Sequence, residues 1–207
     1  MERIVAARLE SDLDADGLPP GSAWEKARPV VFCADWHGEN PDPLRETQAR
    51  FLWANTFLFV GFRCRFRSLY VYPGSDGRRD ALWQRDVAEV FIRSGRDDAR
   101  HYREFEISPN GDWLDLEIRN GEKSILFADL KTRVRVDTAA SIWFAEMAIP
   151  FACLTAELRT EETFRLNLFR IEGPEPDRFY SAWRPTYTDR PNFHVPERFG
   201  ELALAPA

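Results

Sequence analysis

From Leu58 to Phe66 every second residue is apolar: Leu58, Val60, Phe62, Cys64 and Phe66 alternate with Phe59, Gly61, Arg63 and Arg65. A period of two places alternate side chains on opposite faces of an extended strand and cannot be matched by a helix. One face is apolar and the other turns basic, which describes a half-buried antiparallel strand. The same period recurs in VAEVFI (87–92), YREFEIS (102–108) and WLDLEIR (113–119). Further strands are predicted at 29–33, 47–55, 133–136, 142–149 and 164–171, with a last strand closing the chain. Asn55 is placed to turn a hairpin, and PNGD (109–112) is a hairpin turn of the Asn-Gly kind. Turn-forming stretches at 12–20, 39–43 and 73–81 separate the strands.

Many short strands without a βαβ rhythm predict an all-β fold, an antiparallel β-sandwich of immunoglobulin-like or jelly-roll-like type. One or two short helices are expected, at Ser22–Ala27 with Ser22 as N-cap and around Phe151–Leu154. The 207 residues suit one domain spanning 1–207, and no Ser/Gly-rich stretch reads as a linker.

A net charge of −6 argues against a nucleic-acid partner. Basic charge is almost entirely Arg, with Lys only at Lys26, Lys123 and Lys131. Three widely spaced cysteines, Cys33, Cys64 and Cys153, suggest neither a disulfide framework nor a metal motif, and buried free thiols are expected. No apolar run is long enough for a membrane span, so no membrane partner is expected. No signal-peptide pattern is evident, so the expected location is cytoplasmic unless a leader has been removed.

The high aromatic fraction, 14%, must mostly fill a core, but Trp83 and Trp183 have settings that favour exposure. Trp83 borders a loop and precedes a strand. Trp183 stands among polar residues in an aromatic-rich C-terminal third, the kind of ordered loop region that carries binding residues. On VAEVFI, Glu89 shares a face with Val87 and Phe91. A mid-strand carboxylate is unusual, and it implies either a structural Glu–Arg pair or an acceptor facing a cleft. On YREFEIS, Phe105 and Ile107 mark the core face and leave Tyr102, Glu104 and Glu106 on the other, with Arg103 at the rim. Glu106 is read as part of a solvated acidic face.

Asp12, Asp14 and Asp16 precede Gly17 like the start of a DxDxDG loop, but position twelve is Ala23, which excludes an EF-hand. A plain Asp-Gly turn is preferred to a partial calcium site. His37, His101 and His194 fit no metal spacing, and no Walker, GxGxxG or GxSxG motif occurs.

In order, DADGLPPGSAW (14–24), LWANTFLFVGF (52–62), LWQRDVAEVFI (82–92), YREFEISPNGDWLD (102–115), WFAEMAIPFACL (143–154) and FHVPERFGELAL (193–204) resemble the family 9 carbohydrate-binding modules and, more broadly, DOMON-type sandwiches. The resemblance implies binding of the ends of β-linked sugar chains between two tryptophans, often with structural calcium. It places Trp83 and Glu89 on ligand-contacting positions, Trp183 as the second tryptophan, Asn167 and Arg170 as polar partners, and either Arg103 or Glu104 as a further contact. Non-catalytic binding of a xylan- or glucan-type saccharide, linked to carbohydrate catabolism, is therefore expected. Two alternatives stand beside it. One is weak glycoside hydrolysis by Glu89 and Glu104, and the other is haem binding, for which Met147 and the histidines are the only axial candidates. The oligomeric state is not legible in the sequence.

Overall fold

A computed structural model describes residues 3–74, 77–159 and 161–206. Of the predicted loop 73–81, residues 75 and 76 lie outside the described residues. The class is all-β, as expected. The strands in chain order are β1 (Arg3–Arg8), β2 (Val30–Phe32), β3 (Thr47–Trp53), β4 (Phe57–Arg65), β5 (Val87–Ser94), β6 (His101–Ile107), β7 (Trp113–Arg119), β8 (Glu122–Ile125), β9 (Lys131–Asp137), β10 (Ile142–Pro150), β11 (Thr163–Glu172), β12 (Phe179–Ala182) and β13 (Gly200–Leu204).

One layer runs β8-β7-β6-β5-β11-β13, with β12 added on β11. The other runs β3-β4-β10-β9, with β2 added on β3. β1 joins them. Residues 3–6 pair in parallel with β13, and Ala7 and Arg8 pair in parallel with Leu52 and Trp53 of β3. The result is one curled, mixed sheet whose two halves face each other, and this parallel join has no signature in the period-two pattern.

The alternation predicted from sequence sets the core. Leu58, Val60, Phe62 and Cys64 of β4 meet Ala88, Val90 and Ile92 of β5 and Phe105 and Ile107 of β6 between the layers, around the fully buried Trp53 and Trp143. Met147, considered above as a haem ligand, is fully buried in this same core. Cys64 is buried as expected, but Cys33 and Cys153 are only half-buried.

The two expected helices are 3-10 turns. Gly21–Lys26 is capped by Pro20 rather than Ser22, with no side-chain hydrogen bond, and Phe151–Cys153 follows Pro150. A six-residue segment lacks the length to propagate an α-helix, so packing decides its form. Gly21–Lys26 is held by Trp24, whose indole lies against the outer face of β4 at Gly61. A Cβ at position 61 would lie 2.9 Å from that ring. Glycine is required there by close approach of a rigid aromatic, not by its backbone angles.

Gly61→Ala should therefore destabilise the protein by about 1–3 kcal/mol, the usual range for overpacking. At roughly 2–4 °C per kcal/mol for a chain of this size, thermal denaturation should show the loss clearly. Gly21→Ala meets open space and is the control, with an expected change near zero. Equal melting midpoints for the two variants would refute the close-packing account.

Candidate functional site

The central strands β5, β6 and β11 are buried on both faces. Their second face is covered by Leu82, Phe193 and Phe199, which pack with Phe91, Tyr102, Phe169 and Ile171 into an outer apolar cluster. Phe193 stacks on Phe169 with centroids 4.1 Å apart. The segment carrying it is pinned by Trp36, whose indole N–H donates to the Thr188 carbonyl at 2.8 Å and whose carbonyl accepts from the Thr186 N–H at 2.8 Å.

Where this cover is incomplete a cleft of about 180 Å³ opens, with Trp83, Glu89, Glu104, Lys123, Tyr180 and His194 among its walls. Trp83 is 37% exposed and sits on the 3-10 turn Leu82–Gln84. Leu82 anchors that turn in the outer cluster, and the Arg178 guanidinium clamps it by donating to the carbonyls of Trp83 (2.5 Å) and Gln84 (2.9 Å). Lys123 of the edge strand β8 holds its ammonium 4.8 Å from the centre of the Trp83 ring, within cation–π range.

The floor is acidic and dry. Glu89 faces Glu106 across the β5–β6 pair, and Glu104 lies two residues before Glu106 on β6, so three carboxyls share one face. All three are buried; Glu89 Oε1 has no hydrogen-bond partner, while the Glu104 and Glu106 carboxyls lie close enough to hydrogen-bond to each other once one is protonated. Burial pushes each of them above the usual carboxylate range. The neighbouring acids push Glu89 and Glu106 further, while Lys123 opposes the rise. Lys123 Nζ and His194 Nε2 each lie 3.9 Å from Glu104 Oε2. His194 Nδ1 is 2.9 Å from the Tyr102 hydroxyl. Burial drives the His194 imidazole down to about 4, with Lys123 reinforcing the shift, so it is neutral near pH 7.

Of the residues singled out in the sequence, Trp83, Glu89 and Glu104 come together in this cleft. Tyr102 lies behind it as the partner of His194. Glu106 is fully buried rather than on a solvated face, flanked across the sheet by Glu89 of β5 and Leu114 of β7. Four other residues fall elsewhere. Trp183 packs against Gly200 and the inter-layer core, so close that a Cβ at position 200 would lie 2.5 Å from the ring. Arg170 shares the face of Leu166 and Leu168 and lies over Trp143, 5.1 Å from its centroid, beside Glu172. Arg103 points to the rim of the core and pairs with Asp97 at 2.5 Å. Asn167 is fully buried, accepting from the N–H groups of Leu168 and Arg184 and donating to the Arg184 carbonyl. It holds the Arg184 backbone, and full burial keeps it from a ligand.

Lys123, Tyr180, Phe193 and His194 were not read from the sequence as site residues. Lys123 is a surface lysine on a four-residue strand, and His194 reaches the cleft through a non-repetitive segment without periodicity. The Asp-rich turn does not fit a cation: Asp14 and Asp16 both accept from the Arg133 guanidinium, at 2.9 and 3.1 Å, and Asp12 is exposed. Among the described residues, no group of three or more His, Cys, Asp or Glu side chains gathers to hold a metal. No described helix is long and apolar enough to cross a membrane.

No protein-family model matches the chain. Over 179 residues it is 24% identical to an extracellular protein of Arthroderma benhamiae, covering 78% of this chain and 80% of that one. A Bacteroides uniformis ATCC 8492 protein whose proposed role is carbohydrate binding superposes with a TM-score of 0.77 at 15% identity, covering 99% of both chains. A family 9 carbohydrate-binding module from Caldicellulosiruptor kristjanssonii in complex with cellotriose superposes with a TM-score of 0.69 at 13% identity, over 98% of this chain and 93% of the module. The same kind of module from that organism in complex with glucose gives 0.71 at 13% identity, over 100% and 97%. Likeness at this level of identity establishes architecture, and the architecture of this chain is that of the family 9 carbohydrate-binding modules.

Proposed function

We propose that the cleft over β5 and β6 binds a sugar ring without cleaving it. The observation that carries this reading is the exposed Trp83 beside the buried carboxyls of Glu89 and Glu104, where Glu89 Oε1 has no hydrogen-bond partner and Glu104 Oε2 has only the Lys123 and His194 nitrogens, at 3.9 Å. A pyranose offers apolar C–H faces to the indole and hydroxyl edges to the acids, and would meet both needs at once. The complexes of the two structural neighbours with cellotriose and glucose support a β-linked glucan or its chain end over xylan as the first ligand to test. A place in carbohydrate catabolism belongs to the same proposal.

Hydrolysis fits less well. A glycosidase needs one carboxyl held protonated and its partner held ionised, environments that push two pKa values apart. Here Glu89 and Glu104 are both pushed upward, and burial is the leading cause for each.

One stacked face buries on the order of 100 Å², or about 2.5 kcal/mol at roughly 25 cal/mol/Å². Association costs at least about 4 kcal/mol, so hydrogen bonds to the acids must supply the surplus. With Trp183 half-buried and outside the cleft lining, one tryptophan serves the site, and affinity at the weak end of the micromolar-to-millimolar range follows.

Calorimetric titration with cellotriose and xylotriose tests this. Trp83→Ala should weaken binding by about tenfold or more, since 1.4 kcal/mol is a factor of ten. Trp183→Ala should leave the affinity of the folded protein unchanged while lowering its stability. Unaltered binding by Trp83→Ala would exclude the cleft, and release of reducing ends during incubation would exclude the non-catalytic reading.

The buried acids give a second test. Each retains its proton in the native state at pH values where the unfolded chain has released it, so the native state binds more protons. Stability attributable to these groups is then lost as pH rises from the unfolded value, about 4.3, toward the native one. The melting midpoint of Glu106→Gln should rise relative to wild type from about pH 5 to about pH 8, because the glutamine has no proton to lose. A gap that is constant with pH would show that Glu106 is not held protonated.

A further inference from the structure

A larger recess lies on the opposite layer, about 560 Å³ over the outer face of β3, β4, β10 and β9. Strand register arranges its floor in two ranks. Gln48, Arg63, Phe144 and Arg135 lie opposite one another in the first, and Arg50, Gly61, Glu146 and Arg133 in the second. Arg133 is neutralised by Glu146, Asp14 and Asp16. The other arginines are not. Arg50 donates to the carbonyls of Trp24 and Ala27, while Arg135 lies over the Phe144 ring at 4.2 Å. Among the described residues, Arg50, Arg63 and Arg135 have no ion pair with a carboxylate. A protein of net charge −6 thus gathers three uncompensated guanidiniums in one recess.

We infer that this recess is a second binding site, for an acidic oligosaccharide bearing carboxylates on separate rings. Guanidinium forks pair bidentately with carboxylates. Arg63 and Arg135 stand two strands apart, roughly 10 Å at the usual strand spacing, so they address two separated charges rather than one compact anion. Phe144 fixes Arg135 in place, and Trp24, buried against Gly61, supplies an apolar wall. Asp14 and Glu146 in the same lining, with the negative net charge, oppose a densely charged polyphosphate and leave a ligand of low charge density as the match. The ligand class follows from the charge and size of this recess and does not depend on what the Trp83 cleft binds.

Calorimetric titration with a galacturonic-acid tetrasaccharide, and with cellotetraose as the neutral comparison, tests the site in wild type, Trp83→Ala and the Arg63→Gln/Arg135→Gln double variant. The acidic ligand should bind wild type and Trp83→Ala alike, lose about tenfold or more in the double variant, and weaken as salt rises from about 50 to about 200 mM. Neither arginine is buried, so the double variant should keep its melting midpoint; if it does not, Arg135→Gln alone gives the same reading in smaller measure. Absence of binding to wild type overturns the inference. So does loss on Trp83→Ala with retention in the double variant, or full competition by an equal concentration of sodium sulfate, which would mark a general anion site.

Discussion

The arrangement of this molecule depends on the burial of both faces of β5, β6 and β11. One face belongs to the inter-layer core, and the curl of the sheet leaves the other to be covered by residues drawn from distant segments. Strands buried twice have nowhere to send polar side chains to water. Glu89, Glu104 and Glu106 are consequently held in a dry setting, where an unpaired carboxyl costs more than a hydrogen bond returns. A structure that keeps three such groups spends stability on them, and the cleft above them gives that cost a use. Trp83 at its mouth, Lys123 at its side and His194 at its back belong to separate chain segments that only this covering brings together.

The two layers carry opposite electrostatic characters, which follows from their registers. On the first, cross-strand pairing sets Glu89 beside Glu106. On the second, it sets Arg63 and Arg135 on either side of Phe144. The same sandwich thus presents an acid-floored cleft on one outer face and a guanidinium-lined recess on the other, separated by the shared core.

Much of this was legible in the sequence because a period of two is a strong local signal. The strands β2 to β7, β9 to β11 and β13 were read, as was the sharing of a face by Val87, Glu89 and Phe91. The misses have a common physical origin. Trp183 is half-buried, as its polar neighbours implied, but Gly200 across the sheet seats its ring away from the Trp83 cleft, a long-range fact that its own segment does not encode. Arg170 looked like a ligand-binding arginine. Its even-numbered register with Leu166 and Leu168 directs it inward, where Trp143 and Glu172 receive it. Asn167 sits on the correct face, but it is fully buried and its carboxamide is engaged with the backbone of Leu168 and Arg184. β8 and β12 escaped because four residues show little alternation, and β1 because Ile4, Val5, Ala6 and Ala7 run together as apolar residues although burial alternates between them. Side-chain periodicity reports which face a residue takes; it does not report what arrives later to cover that face.

The parallel pairing of β1 with both β13 and β3 bears on how the chain reaches this state. Arg3 aligns with Glu201, so the seam between the halves unites the two extremes of the described sequence. Closing so long a loop costs entropy before any contact repays it, and topologies dominated by such distant pairings fold slowly. During synthesis, β3, β4, β9 and β10 can form their hairpins while β1 still lacks its second neighbour, and the sheet is completed only when Gly200–Leu204 has left the ribosome. Until that moment β1 presents an open edge along residues 3–6, and the half-built sheet has an unpaired flank where intermolecular strand exchange would begin.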